Sequence, residues 1–241
     1  VFPCFDQPNL KATYKMKVLA PKDWQVITST LPTRKNKIKA NQEWDFPTSA
    51  LFSTYIWSLH AGPYAVFTDK KSLYPARFFV RQSMKKYVKI DDWITFTRQS
   101  FDFVNECFGY EYPYKKYDQI IVPDFNAGAM ENVAAVTFSE SFISRGIKTR
   151  AQRRSLANVI FHEMAHMWFG NLVTMDWWND LWLNESFATY TANLGLSRNT
   201  EFKESAWPNF NGTKGWAYWE DQLVTTHPIE ATVSDTNQAV S

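Results

Sequence analysis

The chain has 241 residues, 45% of them hydrophobic and 17% aromatic, enough to fill a substantial core in one large domain or two smaller ones. Lys and Arg number 26 against 24 Asp and Glu, and the resulting net charge of +2 excludes the strongly basic surface that nucleic acid or anionic lipid requires. No window approaches the roughly 18 apolar residues of a membrane helix, and with 8 Gly and no Ser/Gly or charge run no flexible linker is expected.

The chain opens on Val1-Phe2-Pro3 and closes on Val240-Ser241 without signal or stop patterns, so an internal piece of a longer protein is expected. Cys4 and Cys107 form no CxxC pair and no dense framework, which fits a reducing compartment, and a cytoplasmic protein is expected. From Lys11 to about Gln82, short apolar runs alternate with turn residues: Ala12-Tyr14-Met16-Val18, Val26-Ile27, Tyr55-Ile56-Trp57, Ala65-Val66-Phe67 and Phe78-Phe79-Val80. This is a β-rich segment, with Pro21, Pro32, Pro47, Pro63 and Pro75 expected to fall between the runs. The period then changes. Trp93, Ile94, Phe96, Phe101, Val104 and Phe108 recur at helical spacing before Gly109, which predicts a helix from about Asp91 and a domain boundary near residue 82, dividing the chain into 1–82 and 83–241.

Ile120-Ile121-Val122 reads as a buried strand, and Val133 to Phe138 as another. A long helix is predicted from an N-cap at Thr149 to Phe169, closed by Gly170-Asn171, and a second from about Asp180 to Leu194 with Gly195 behind it. The first of these carries His162-Glu163-Met164-Ala165-His166, an H-E-x-x-H motif. Residues four apart share a helical face, so both imidazoles can address one Zn²⁺, while Leu156, Ile160, Met164, Met167 and Trp168 form the core-directed stripe. A zinc hydrolase needs a third protein ligand. Glu185, on the next predicted helix within Trp182-Leu183-Asn184-Glu185, supplies a carboxylate in the right setting. Glu163 projects about 100° away from His162 and is the natural general base for water rather than a ligand. His60 and His227 lack partner spacing and are weak candidates for any site role.

With these residues stands Gly128-Ala129-Met130-Glu131-Asn132. The small Gly128 and Ala129 allow close backbone approach, an extended segment here can pair with a peptide by strand addition, and Glu131 can hold a free α-ammonium. Together with Phe2-Pro3-Cys4-Phe5-Asp6-Gln7-Pro8, the H-E-x-x-H pair and the distant Glu185, this sequence resembles the M1 (gluzincin) zinc aminopeptidases, an aminopeptidase N-like family, over essentially the whole chain. H-E-x-x-H with a distant glutamate would also admit thermolysin-like endopeptidases; the GAMEN motif discriminates.

The resemblance implies an α+β chain: the C-terminal part of a saddle-like β-domain, then a thermolysin-like catalytic domain truncated at its C-terminal end. It implies one Zn²⁺ per chain on His162, His166 and Glu185, Glu163 as base, and Gly128 to Asn132 as the substrate-binding segment for peptides with a free N-terminus. In relatives a tyrosine hydroxyl stabilises the oxyanion, and that residue is expected beyond Ser241; a residue that helps hold the substrate amine is expected upstream of Val1. Two departures matter. Val133-Ala134 stands where many relatives carry a bulky residue and then Gly, and Ala192 stands where relatives often have an acid supporting the metal. The rival readings are a leukotriene A4 hydrolase-like bifunctional enzyme with epoxide hydrolase activity and a catalytically silent scaffold.

Overall fold

Short strands separated by turns build the first third of the chain in the computed structural model, which describes residues 2–229 and 231–239. They are β1 (Lys11–Ala12), β2 (Met16–Pro21), β3 (Gln25–Ile27), β4 (Arg34–Ile38), β5 (Asn41–Phe46), β6 (Phe52–Ser53) and β7 (His60–Gly62). β2, β5 and β4 form an antiparallel sheet in that order, and its inward residues Ala20, Trp44 and Phe46 cluster with Val26. β1 pairs with β6 and β3 with β7, both antiparallel. The run Tyr55-Ile56-Trp57, read from sequence as a strand, instead contributes a 3-10 turn over Thr54–Ile56.

The second sheet combines β8 (Tyr64–Asp69), β9 (Ala76–Arg81), β10 (Tyr117–Val122), β11 (Ala129–Met130) and β12 (Ala135–Ser139) in the order β11-β12-β10-β9-β8. β9, β10 and β12 are parallel, and β8 and β11 add antiparallel edges. Central parallel strands are covered on both faces and so run apolar; β10 obeys this at Ile120 and Ile121. Its exceptions are fully buried Gln119, which donates to Thr97 Oγ1 at 2.8 Å, and fully buried Asp118, which is neutralised by a bidentate Arg77 at 2.6 and 2.8 Å and by Lys116 at 2.8 Å. This sheet spans residue 82. The change of period there coincides with the passage from strand β9 to a helix, while β9 stays hydrogen-bonded to β10 across it. One core likewise joins Phe52 and Ile56 to Trp93, Phe138, Ile160 and Leu196.

Four longer helices complete the α+β architecture: α1 (Ile90–Phe108), α2 (Arg150–Ala165), α3 (Leu181–Asn199) and α4 (Lys203–Glu220). α1 buries Trp93, Phe96, Phe101, Phe103 and Val104 and ends on Gly109, whose φ of 60° is the left-handed cap that glycine adopts without strain. α3 does not stop before Gly195 but runs four residues past it. A Cβ at Gly195 would come within 2.5 Å of Phe161 Cε1 and 2.8 Å of Phe103 Cδ1, so this glycine serves close helix packing rather than termination. Among the described residues no helix is long and apolar enough to cross a membrane.

Candidate metal and peptide site

α2 starts where the sequence places it. Thr149 Oγ1 accepts from the Gln152 amide at 3.2 Å, Gln152 Oε1 accepts from the Thr149 amide at 2.9 Å, and this capping box satisfies donors that would otherwise be orphaned. Leu156, Ile160 and Met164 are fully buried, as the apolar stripe requires, and so are Met167 and, nearly so, Trp168 beyond the helix end. The helix, expected to reach Phe169, ends at Ala165 with His166 as its C-cap. Residues 167 and 168 tighten into i→i+3 bonds, and Gly170 at φ 117° turns the chain away. The Phe169 carbonyl is recruited by the His166 ring, Nδ1 to O 3.1 Å, a bond that a continuing helix would forbid.

That bond decides the chemistry of His166. A carbonyl only accepts, so Nδ1 carries the proton and donates, and Nε2 presents a bare lone pair. His166 Nε2 lies 2.9 Å from His162 Nε2 and 3.7 Å from Glu185 Oε2, and His162 Nε2 lies 3.3 Å from the same oxygen. Ligand atoms bonded to tetrahedral zinc at about 2.0–2.2 Å stand about 3.3–3.6 Å apart. Three acceptor atoms converge at nearly that spacing, an arrangement that a cation satisfies, and the donor set of two imidazoles and one carboxylate is the kind zinc takes in hydrolases. Partial burial pushes the Glu185 carboxyl up, but its contacts with the His162 and His166 imidazoles more than offset this and hold it below its ordinary value.

The sequence brings α3 here through packing on α2, and Glu185 is half-exposed beside a groove of ≈ 270 Å³ lined by Ser186, Thr189, Phe210 and Lys214. His162 Nδ1 sits 3.4 Å from Thr189 Oγ1. Ala192 is fully buried in the core, and the polar partner of His162 comes from Thr189 on the same helix.

Glu163 is buried beside Glu131 and His166, with ligand-type atoms of all three within 4.8 Å of one another. Burial holds its carboxyl well above the usual carboxylate range, and the Glu131 and Glu185 charges push the same way. Among the described residues its Oε2 has no hydrogen-bond partner.

The segment from Gly128 to Asn132 divides its labour. Gly128 takes φ 80°, which glycine tolerates, and its carbonyl accepts from the Ser139 amide at 2.7 Å. Ala129 and Met130 form β11, an edge of the sheet whose other side pairs with no strand among the described residues. Glu131 is buried next to Glu163. Asn132 is turned inward, its Oδ1 accepting from Thr137 Oγ1 at 2.7 Å, so it braces the strand and makes no contact with the metal group. Thr137 Oγ1 is also 3.2 Å from His60 Nε2; that places His60 beneath the segment, and burial followed by the Lys116 charge lowers its pKa to about 4. His227 is exposed and is not part of the ligand set. Ala134 adopts φ 55°, a left-handed conformation that favours glycine, and its carbonyl is held by Lys116 Nζ at 2.6 Å and the Asp118 amide at 3.0 Å.

Three residues not singled out from sequence belong to the site: Thr189, Asn184 and Tyr55. Asn184 Nδ2 donates to Glu131 Oε1 at 3.2 Å and lies 3.3 Å from the Tyr55 hydroxyl. The signal available was an amide at the head of α3, beside Glu185 and behind the apolar Leu181-Trp182-Leu183. Burial first, and then the Glu131 and Glu185 charges, raises the Tyr55 hydroxyl far above its ordinary pKa.

Residues 94–241 match the peptidase family M1 domain, and residues 1–56 match the peptidase M1 N-terminal domain. The chain is 45% identical to an aminopeptidase N of Streptomyces lividans, an alignment that covers 98% of this chain and 28% of that protein. It is 34% identical to a glutamyl aminopeptidase of Rattus norvegicus over 97% of this chain and 25% of the relative. It is 35% identical to tricorn protease-interacting factor F2 of Thermoplasma acidophilum over 98% and 30%. The chain therefore spans between a quarter and a third of the length of these relatives.

Proposed function

The chain belongs to peptidase family M1, and from that premise we propose that it carries the centre of a zinc-dependent aminopeptidase, a hydrolase that removes single residues from peptide N-termini. The observation that carries the reading is the junction of two groups through His166. One is the ligand set His162, His166 and Glu185, and the other is Glu131 with Glu163, a charge reader for an amine next to a base. Aminopeptidase names among the relatives support it.

His162, His166 and Glu185 would hold Zn²⁺, which when bound supplies a Lewis acid that polarises the scissile carbonyl and acidifies water. Glu163 takes a proton from the attacking water and delivers it to the departing amine nitrogen; its unpartnered Oε2 is the available atom. Glu131 accepts the α-ammonium of the substrate, and the free edge of β11 aligns the peptide backbone. Because the amine reader adjoins the base and the ligand set, only the first peptide bond fits between them.

The test is turnover of an amino-acid anilide and its N-acetylated counterpart by the protein expressed at the full length of its gene, before and after zinc chelation. The reading requires zinc-dependent turnover and at least about 100-fold preference for the free amine, of the size that charge-assisted contacts confer. Equal cleavage of both substrates, or activity indifferent to chelation, overturns it. Zinc binding without turnover would instead favour a silent scaffold.

A further inference from the structure

We propose that Asn184 is a positioning residue that sets the carboxylate of Glu131 at a fixed distance from the metal ligands, and so determines that cleavage stops one residue from the free amine. The inference rests on the proposed role of Glu131. A buried carboxylate requires donors. Glu131 is 4% exposed, and its Oε1 accepts from Asn184 Nδ2 at 3.2 Å, leaving the second oxygen to address the substrate ammonium.

Asn184 is in turn fixed from three sides. It is 2% exposed and stands on α3 one residue before Glu185. Its amide lies 3.3 Å from the Tyr55 hydroxyl. Its Cγ packs against the backbone of Gly170, where an added Cβ would approach it to 2.9 Å. Gly170 belongs to the turn that leaves His166, and the next residue, Asn171, donates from Nδ2 to the Glu131 carbonyl at 2.9 Å. Glu131 is thus tied by its backbone to the segment after His166 and by its carboxylate to the residue before Glu185. The two ties reach both elements that bear the ligands, and a carboxylate held in this way cannot wander by the ~1 Å that would cost an oriented reaction about 100-fold.

A residue that merely satisfies a buried acid would affect stability alone. A positioning residue changes the discrimination between free and blocked amines. The experiment compares the full-length protein with Asn184→Asp, Tyr55→Phe, Glu131→Ala and the Glu131→Ala/Asn184→Asp double variant, at matched zinc content, with kcat and KM measured on free and N-acetylated anilides. Asn184→Asp keeps the shape and replaces the donor by an acceptor. Its kcat/KM on the free substrate should fall about 10–100-fold, as loss of a supporting hydrogen bond does around metal sites, with little change on the acetylated one. Tyr55→Phe, which keeps the ring, should lower the same ratio about 2–10-fold, the equivalent of one hydrogen bond, and it serves if Asn184→Asp does not fold. In the Glu131→Ala background, Asn184→Asp should add less than about 3-fold. If Glu131→Ala collapses the free-to-acetylated ratio while Asn184→Asp and Tyr55→Phe leave it at the wild-type value, the positioning role is overturned and the reading of Glu131 survives. If Glu131→Ala leaves the ratio unchanged, both fall.

Discussion

Gly195→Ala perturbs the site from outside it. Carbon atoms in contact stand about 3.5–4.0 Å apart, whereas the new Cβ would meet Phe161 Cε1 at 2.5 Å and Phe103 Cδ1 at 2.8 Å. Both rings are buried in the main core, so neither can swing into solvent, and α3 must retreat from α2 by about 1 Å to restore contact. Overpacking of this kind costs about 1–3 kcal/mol, against about 1 kcal/mol gained from alanine's helix propensity, so the net loss is about 0–2 kcal/mol. The larger consequence falls on the metal. Phe161 precedes His162 on α2, and Glu185 lies on α3, so the same retreat widens the 3.3 Å gap between His162 Nε2 and Glu185 Oε2. Zinc affinity should fall about tenfold or more, read by competition with a chromogenic chelator, beside a thermal melt of the metal-free protein. A variant with raised melting temperature and unchanged zinc affinity would refute the idea that this close approach sets the ligand spacing.

Two other outcomes follow from the braces beneath the Gly128 to Asn132 segment. His60 is neutral when folded, with its pKa lowered from 6.5 to about 4 by burial and then by Lys116, so between those values the unfolded chain binds more protons and stability must drop as pH falls. The loss reaches about 3 kcal/mol at most near pH 4, and His60→Gln should flatten that part of the stability profile; an identical slope in the variant counts against it. Lys116→Met strips a fully buried cation from Asp118 and the Ala134 carbonyl, and should lower the denaturation free energy by about 3 kcal/mol; a change under about 0.5 kcal/mol would show that Arg77 alone suffices for Asp118.

Much of the site was legible because its chemistry is local. The i,i+4 histidines, the Thr149 cap and the Gly128 to Asn132 segment are encoded in contiguous residues whose geometry follows from helix period and backbone freedom. What escaped reading depends on contacts between distant residues. α2 ends early because the His166 ring takes the Phe169 carbonyl. Gly195 looks like a stop and is a contact surface for Phe161 and Phe103. The change of hydrophobic period near residue 82 marks the passage out of β9, whereas the pairing of β9 with β10 across 35 intervening residues leaves no such local signal. Asn132, just past the end of β11, accepts from Thr137 Oγ1, a contact that its place in the Gly128 to Asn132 motif does not announce. Asn184 carries no motif of its own, and only the fold reveals which carboxylate it holds.

The proposed chemistry requires that base and metal ligands be separate residues. Zinc content by atomic absorption and anilide turnover should be measured together in the full-length protein and in its Glu163→Gln, His162→Ala and Glu185→Ala variants. Glu163→Gln should retain one zinc and lose turnover by at least about 100-fold, the usual contribution of a general base, whereas His162→Ala and Glu185→Ala should lose the metal. Zinc lost from Glu163→Gln, or retained with full activity in either ligand variant, would contradict the assignment.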